Sequence, residues 1–160
     1  MELCSQLADV AVSPCVVGDC IHRKNVISKS YVVPNEQVQQ AMTDFISAIA
    51  NANLDTTTLP FFIMNTLENG WLKIKFYISI KQSCPHVPAN MHFDSYFCVD
   101  NMVSLCVSNN PEQNMSAAYV QLYSFLEMNS FQAITPIFQV LGGDKDVQYT
   151  LLKVGYKVHM

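Results

Sequence analysis

Apolar residues recur at two different periods along this chain, and the switch between periods is itself repeated. In NNPEQNMSAAYVQLYSFL (109–126), Met115, Ala118, Tyr119, Leu122, Phe125 and Leu126 follow Pro111 at three- and four-residue spacing, which places them on one stripe of a helix. A shift of 77 positions toward the N-terminus reaches Val38, Ala41, Met42, Phe45, Ala48 and Ile49, all apolar or small and just beyond Pro34. The pattern predicts a second helix there.

Each predicted helix is followed by residues with strand periodicity. LPFFIM (59–64), a break at Asn69-Gly70 and WLKIKFYISI (71–80) follow the first; TPIFQVL (135–141), a break at Gly142-Gly143 and VQYTLLKVGYKV (147–158) follow the second. β-branched and aromatic runs flanking a glycine break predict antiparallel hairpins. Leu72, Ile74, Phe76, Ile78 and Ile80 alternate, and a shift of 78 carries them onto Thr150, Leu152, Val154, Tyr156 and Val158. Upstream, KNVISKSYVV and DNMVSLCVSN each supply one more strand. The expected architecture is α+β: two strand-helix-hairpin units, about 20–80 and about 98–158, with 81–97 as connector, within a single domain. Their strands would form an antiparallel sheet with both helices on one face about a pseudo-twofold axis.

NPEQNMSAAYVQL resembles the "GpYenL.eAyakL" segment of GyrI-like domains, also called the transcription-activator effector-binding fold. Asn110 stands for the glycine, Pro111 for the proline, Asn114 and Met115 for "nL", and Ala118-Tyr119 for "AY". PIFQVL resembles that family's strand before the hairpin, and LLKVGYKV its closing strand, usually "tEiyiPv". The resemblance covers roughly residues 20 to 158. It implies a stand-alone module that senses or sequesters a hydrophobic or aromatic small molecule in a cleft between the repeats, as in the C-terminal domains of MerR- and AraC-type multidrug-sensing regulators. The alternatives are a hydrolase of the same fold acting on reactive hydrophobic toxins, and a gyrase-inhibitor-like protein-interaction module.

The ligand-binding candidates are Tyr31, Phe61, Trp71, Glu112, Tyr119, Phe138, Tyr149 and Lys153. Aromatic residues at helical or alternating positions serve ordinary packing as readily as a cleft. Two departures from the family pattern matter. Lys153 stands where the closing strand has a glutamate, with Lys75 as its counterpart in the first repeat; turned into a cleft, these lysines favour neutral or anionic aromatic ligands, and on the other face they are solvated. Glu112 stands at the family's tyrosine position, where it also suits the first turn of a helix. In the hydrolase reading Glu112, Tyr119 or Tyr149 would act as acid or base, but the closing-strand carboxylate is missing.

Composition narrows the classes. The 160 residues, half of them apolar and 14% charged, suffice for a core of their own. A net charge of −4 and no basic run longer than Arg23-Lys24 argue against direct nucleic-acid binding, and no apolar stretch is long enough to predict a membrane span. With an acid at position 2 where a secretory leader needs positive charge, the expected location is the cytoplasm. Six cysteines without CxxC spacing predict reduced, mostly buried thiols, and Cys84-Pro85-His86 with His92 falls short of a zinc pattern, so no metal or cofactor is expected.

Overall fold

The computed structural model describes residues 11–108, 111–144 and 146–159, with side chains at all of these except 111 and 112. Among them are seven strands and two α-helices: β1 (Val16–Pro34), α1 (Val38–Asn51), β2 (Phe61–Thr66), β3 (Trp71–Ser79), β4 (His92–Val107), α2 (Pro111–Met128), β5 (Phe131–Ala133), β6 (Phe138–Gly143) and β7 (Gln148–Val158). The chain is α+β, and the strand pairings within its two compact units are antiparallel. One unit spans Ile21–Cys98; the other spans Val99–Met160 with Met1–Cys20.

In the Ile21–Cys98 unit the closing strand β3 is central, paired to β1 on one side and β2 on the other, with Ile74 opposite both Tyr31 and Met64. Helix α1 buries Ala41, Phe45 and Ile49, three of the six positions read from the sequence. Phe45 stacks on Phe76 of β3 at 5.7 Å, and Tyr31 and Phe62 meet the edge of the same ring. The alternation of β3 decides which residues do this: Leu72, Ile74, Phe76 and Ile78 are all buried.

The other unit repeats the plan. β7 is central between β4 and β6, with Leu152 opposite both Leu105 and Gln139. α2 buries Ala118, Leu122 and Leu126 against Val103, Leu105, Val107, Leu152 and Val154, and Met115, Tyr119 and Phe125 border that core. All six helix positions read from the sequence therefore face it. The N-terminal stretch joins this unit, where Val12 bridges Val107 and the Ser13 N–H donates to the Cys106 carbonyl at 2.9 Å.

Several expectations need correction. β1 begins at Val16 and β4 at His92, each eight residues upstream of the runs KNVISKSYVV and DNMVSLCVSN read as strands. Both extensions lie upstream of an asparagine in the left-handed region, Asn25 and Asn101, each at φ 55°. In both units this asparagine stands immediately before the first residue paired to the closing strand, Val26 with Ser79 and Met102 with Gly155. The hydrophobic period is interrupted there, which hid the continuation of the strand. β5 was not expected at all; its three residues pair with the end of β7, Ala133 opposite Tyr156. The described cysteines are free thiols, but none is fully buried: Cys84 and Cys98 are exposed, and Cys15, Cys20 and Cys106 are half-buried.

The paired asparagines give a test. Asn tolerates left-handed backbone far better than a β-branched residue does. Asn25→Val and Asn101→Val should each cost about 1–2 kcal/mol in urea unfolding, whereas the glycine substitutions should stay within about 0.5 kcal/mol of the parent.

Candidate functional site

The strands β4, β7 and β6 present two faces. One carries the core under α2. The other carries the row Ser104, Lys153 and Phe138, in which Lys153 is directly opposite both neighbours. Lys153 is not solvated: it is only 7% exposed. An ammonium removed from water needs a counter-charge, and β1 provides one. The Lys153 Nζ lies 3.1 Å from Asp19 Oδ2 and donates to the Cys20 carbonyl at 2.9 Å. Asp19 also accepts the Cys20 N–H at 2.8 Å and a hydrogen bond from Ser104.

Burial alone would raise the Asp19 carboxyl. The hydrogen bonds from Ser104, Cys20 and Lys153, together with the Lys153 charge, outweigh it and hold the group below the ordinary carboxylate range. A positive charge on this face is therefore compensated within the unit, contrary to the bare charge that Lys153 suggests in the sequence. Asp19 escaped the sequence reading because it lies before the first repeat; the available signal was a lone acid in the apolar run VVGDCI.

Phe138 is buried beside Lys153, and Tyr149 lies further along the same face, its ring covering Gly142 across the strand pair. Tyr119 is on the other face, where its hydroxyl accepts a hydrogen bond from Gln139 Nε2 at 2.9 Å. Burial pushes the Tyr119 hydroxyl up, with the nearby Tyr123 adding to this and Gln139 opposing it. The Glu112 side chain lies outside the described residues.

In the Ile21–Cys98 unit the candidates are separated as well. Tyr31 is on the α1 side, donating to Asp44 at 2.7 Å, with Lys29 3.7 Å from the same carboxylate. Phe61 is on the opposite face, stacked on Tyr77 at 4.8 Å, and Phe97 approaches both rings. The Lys75 Nζ sits 5.1 Å from the Tyr77 ring centre, a cation–π contact rather than a free charge. Ser28 and Ser79 share this face as diagonal neighbours of the β1–β3 pair, and both hold buried hydroxyls with no hydrogen-bond partner among the described residues. Trp71 is 44% exposed and opposite Pro34, roughly 20 Å along β3 from the Phe61 register. Cys84 and His86 are exposed, while His92 pairs with Asp94 at 3.1 Å.

One family's pattern matches residues 22–158, nearly the whole repeat-bearing segment. The chain belongs to the DUF5085 family. That family is described as a domain of unknown function. No curated protein matches this sequence. Among solved structures, EcmrR in its DNA complex within EcmrR-RPo is similar at 12% identity and TM-score 0.72, covering 98% of this chain and 62% of the EcmrR chain. The DUF5085 chain thus spans less than two thirds of EcmrR. The isolated EcmrR C-terminal domain is similar at 13% identity and TM-score 0.70, covering 91% of this chain and 98% of that domain. A hydrolase from Listeria innocua is similar at 9% identity and TM-score 0.60, with 98% of each chain covered. The fold is the GyrI-like one expected from the NPEQNMSAAYVQL segment. Among the described residues of this DUF5085 member, no helix is long and apolar enough to cross a membrane.

The ion pair makes two predictions for the DUF5085 chain. Asp19→Asn should cost about 1–3 kcal/mol at pH 7 in chemical denaturation, because it strands a buried ammonium; Lys153→Met should cost less, since the carboxylate left behind still reaches water. Because the folded-state pKa of Asp19 is depressed, its contribution is present above the unfolded value near about pH 4 and is lost as pH falls through the lower folded value. Thermal scans between neutral pH and about pH 2 should show a steeper acid limb for the parent than for Asp19→Asn.

Proposed function

We propose that this protein binds a small apolar or aromatic organic molecule and holds it without chemical change, as a sensing or sequestering module. The observation that carries the reading is the fold. It is coextensive with the C-terminal domain of EcmrR, a protein that engages DNA as a longer chain of which this one spans 62%. The net charge of −4 adds that direct DNA binding is no part of this role. Two local features support a ligand of low charge. The Lys153 ammonium is matched by Asp19, and the Phe61, Tyr77 and Phe97 rings lie on a face where the Ser28 and Ser79 hydroxyls have no partner among the described residues. A polar atom on a bound molecule would relieve a buried hydroxyl that otherwise costs about 1–3 kcal/mol.

The likeness to the Listeria innocua hydrolase favours turnover as the second reading. The described side chains suit it less well. The Asp19 carboxyl is held low, which makes it a weak base, and the Tyr119 hydroxyl is pushed up, which makes it a weak acid at neutral pH.

Native mass spectrometry of the purified protein, followed by a thermal-shift panel of neutral aromatic compounds and their carboxylate analogues, tests the proposal. We expect one neutral compound retained per chain, with the neutral member of each pair preferred. Asp19→Asn should narrow that preference about threefold or more by unmasking the lysine. Absence of any stabilising compound, or cleavage of an activated aryl ester that is lost in Tyr119→Phe, would sink it.

A further inference from the structure

The two units lay the same row of side chains across three strands and satisfy it differently. Two residues past the first pair after each left-handed asparagine, Ser28 of β1 is opposite Tyr77 of β3, and Ser104 of β4 is opposite Lys153 of β7. Phe61 and Phe138 complete the rows from β2 and β6. By strand parity both rows lie on the sheet face turned away from the helix of their own unit. In the row that holds Lys153 the serine is satisfied by the protein, since Ser104 hydrogen-bonds the Asp19 carboxylate. In the Ile21–Cys98 unit it is not: Ser28 is 1% exposed, and its hydroxyl has no hydrogen-bond partner among the described residues. At the next position on that face, where the other unit has Gly155, stands Ser79, 4% exposed and with its hydroxyl in the same condition. Diagonal neighbours of this kind lie about 7–8 Å apart, a span across which two serine side chains reach a single atom between them. Tyr77 and Phe61 stack beside them, and the Phe97 ring centre lies 5.1 and 5.3 Å from those two rings.

Two hydroxyl donors withdrawn from water need an acceptor, and the row that serves Ser104 shows which kind of group the Ile21–Cys98 unit lacks. A carboxylate suits this face poorly. The nearest ammonium on the face, Lys75, is one row further along, opposite Ser30, and already lies over the Tyr77 ring. Burial, together with the negative charge of Asp94, pushes the Tyr77 hydroxyl up, so the local field opposes a second anion. An uncharged carbonyl oxygen has two lone pairs, one for each hydroxyl, and brings no charge to be buried. We propose that the small molecule inferred above is an uncharged aryl carbonyl compound, a ketone or an amide. Its ring lies against Phe61, Tyr77 and Phe97, and its carbonyl oxygen accepts hydrogen bonds from Ser28 and Ser79. The assignment rests on the ligand-binding reading and adds to it the polar group that the ligand carries.

The test compares acetophenone with α-methylstyrene, which match in shape and differ in a carbonyl oxygen against a methylene carbon. In ¹H–¹⁵N correlation titrations of the full chain, acetophenone should give saturable shifts centred on residues 26–31, 61–63, 75–79 and 97, and bind about tenfold tighter than the alkene. Ser28→Ala and Ser79→Ala should each weaken acetophenone about threefold and leave α-methylstyrene unchanged. The infrared stretch of bound, ¹³C-labelled acetophenone should rise in frequency in each variant, as one of its two hydrogen bonds is lost. Without ligand, both variants should melt at or above the temperature of the parent, because each removes a buried hydroxyl that has no partner, whereas Ser104→Ala should melt below it. Equal affinity for ketone and alkene, an unmoved carbonyl stretch, unaltered acetophenone binding in both variants, or a lowered melting temperature of the ligand-free variants overturns the carbonyl assignment; binding of the alkene in those cases leaves the neutral-ligand reading standing. Saturation by neither compound up to its solubility also overturns the assignment, while the reading itself falls only with the whole panel of neutral compounds.

Discussion

Both units depend on a closing strand hydrogen-bonded along its two edges. β3 is held by β1 and β2, and β7 by β4 and β6, so every second residue of each closing strand is committed to the core under its helix. That commitment leaves the remaining residues no choice of face. Lys153 cannot change face by a local adjustment, because a shift of one residue would carry Leu152 and Val154 off the core under α2 and put the ammonium into it. The ion pair with Asp19 is thus a consequence of register.

Periodicity made the helices and closing strands legible. The six apolar positions on α2, three of the six on α1 and the alternation from Leu72 to Ile78 are direct records of which side chains meet the core. What the pattern could not show was anything set by a single backbone angle or by a distant partner. The left-handed asparagines break the period at Asn25 and Asn101, so the strand reading starts near them, and the upstream part of β4 reads as connector. β5 is too short, at three residues, to display any period. The placement of the candidate residues was not legible. Tyr31 and Phe61 sit on opposite faces of one unit, as do Tyr119 and Lys153 in the other, because strand parity and helix phase place them and the linear order does not.

Electrostatics separates this chain from the simplest reading of its resemblance. Substituting a lysine for the closing-strand glutamate looks like an inversion of charge, yet Asp19 and Ser104 convert it into an internal dipole.

The Asp19–Lys153 contact spans 134 positions of sequence and joins a buried ammonium to a carboxylate that still reaches water. The two residues therefore behave as one energetic unit: what either contributes depends on the other being present, and their separate substitutions will not add.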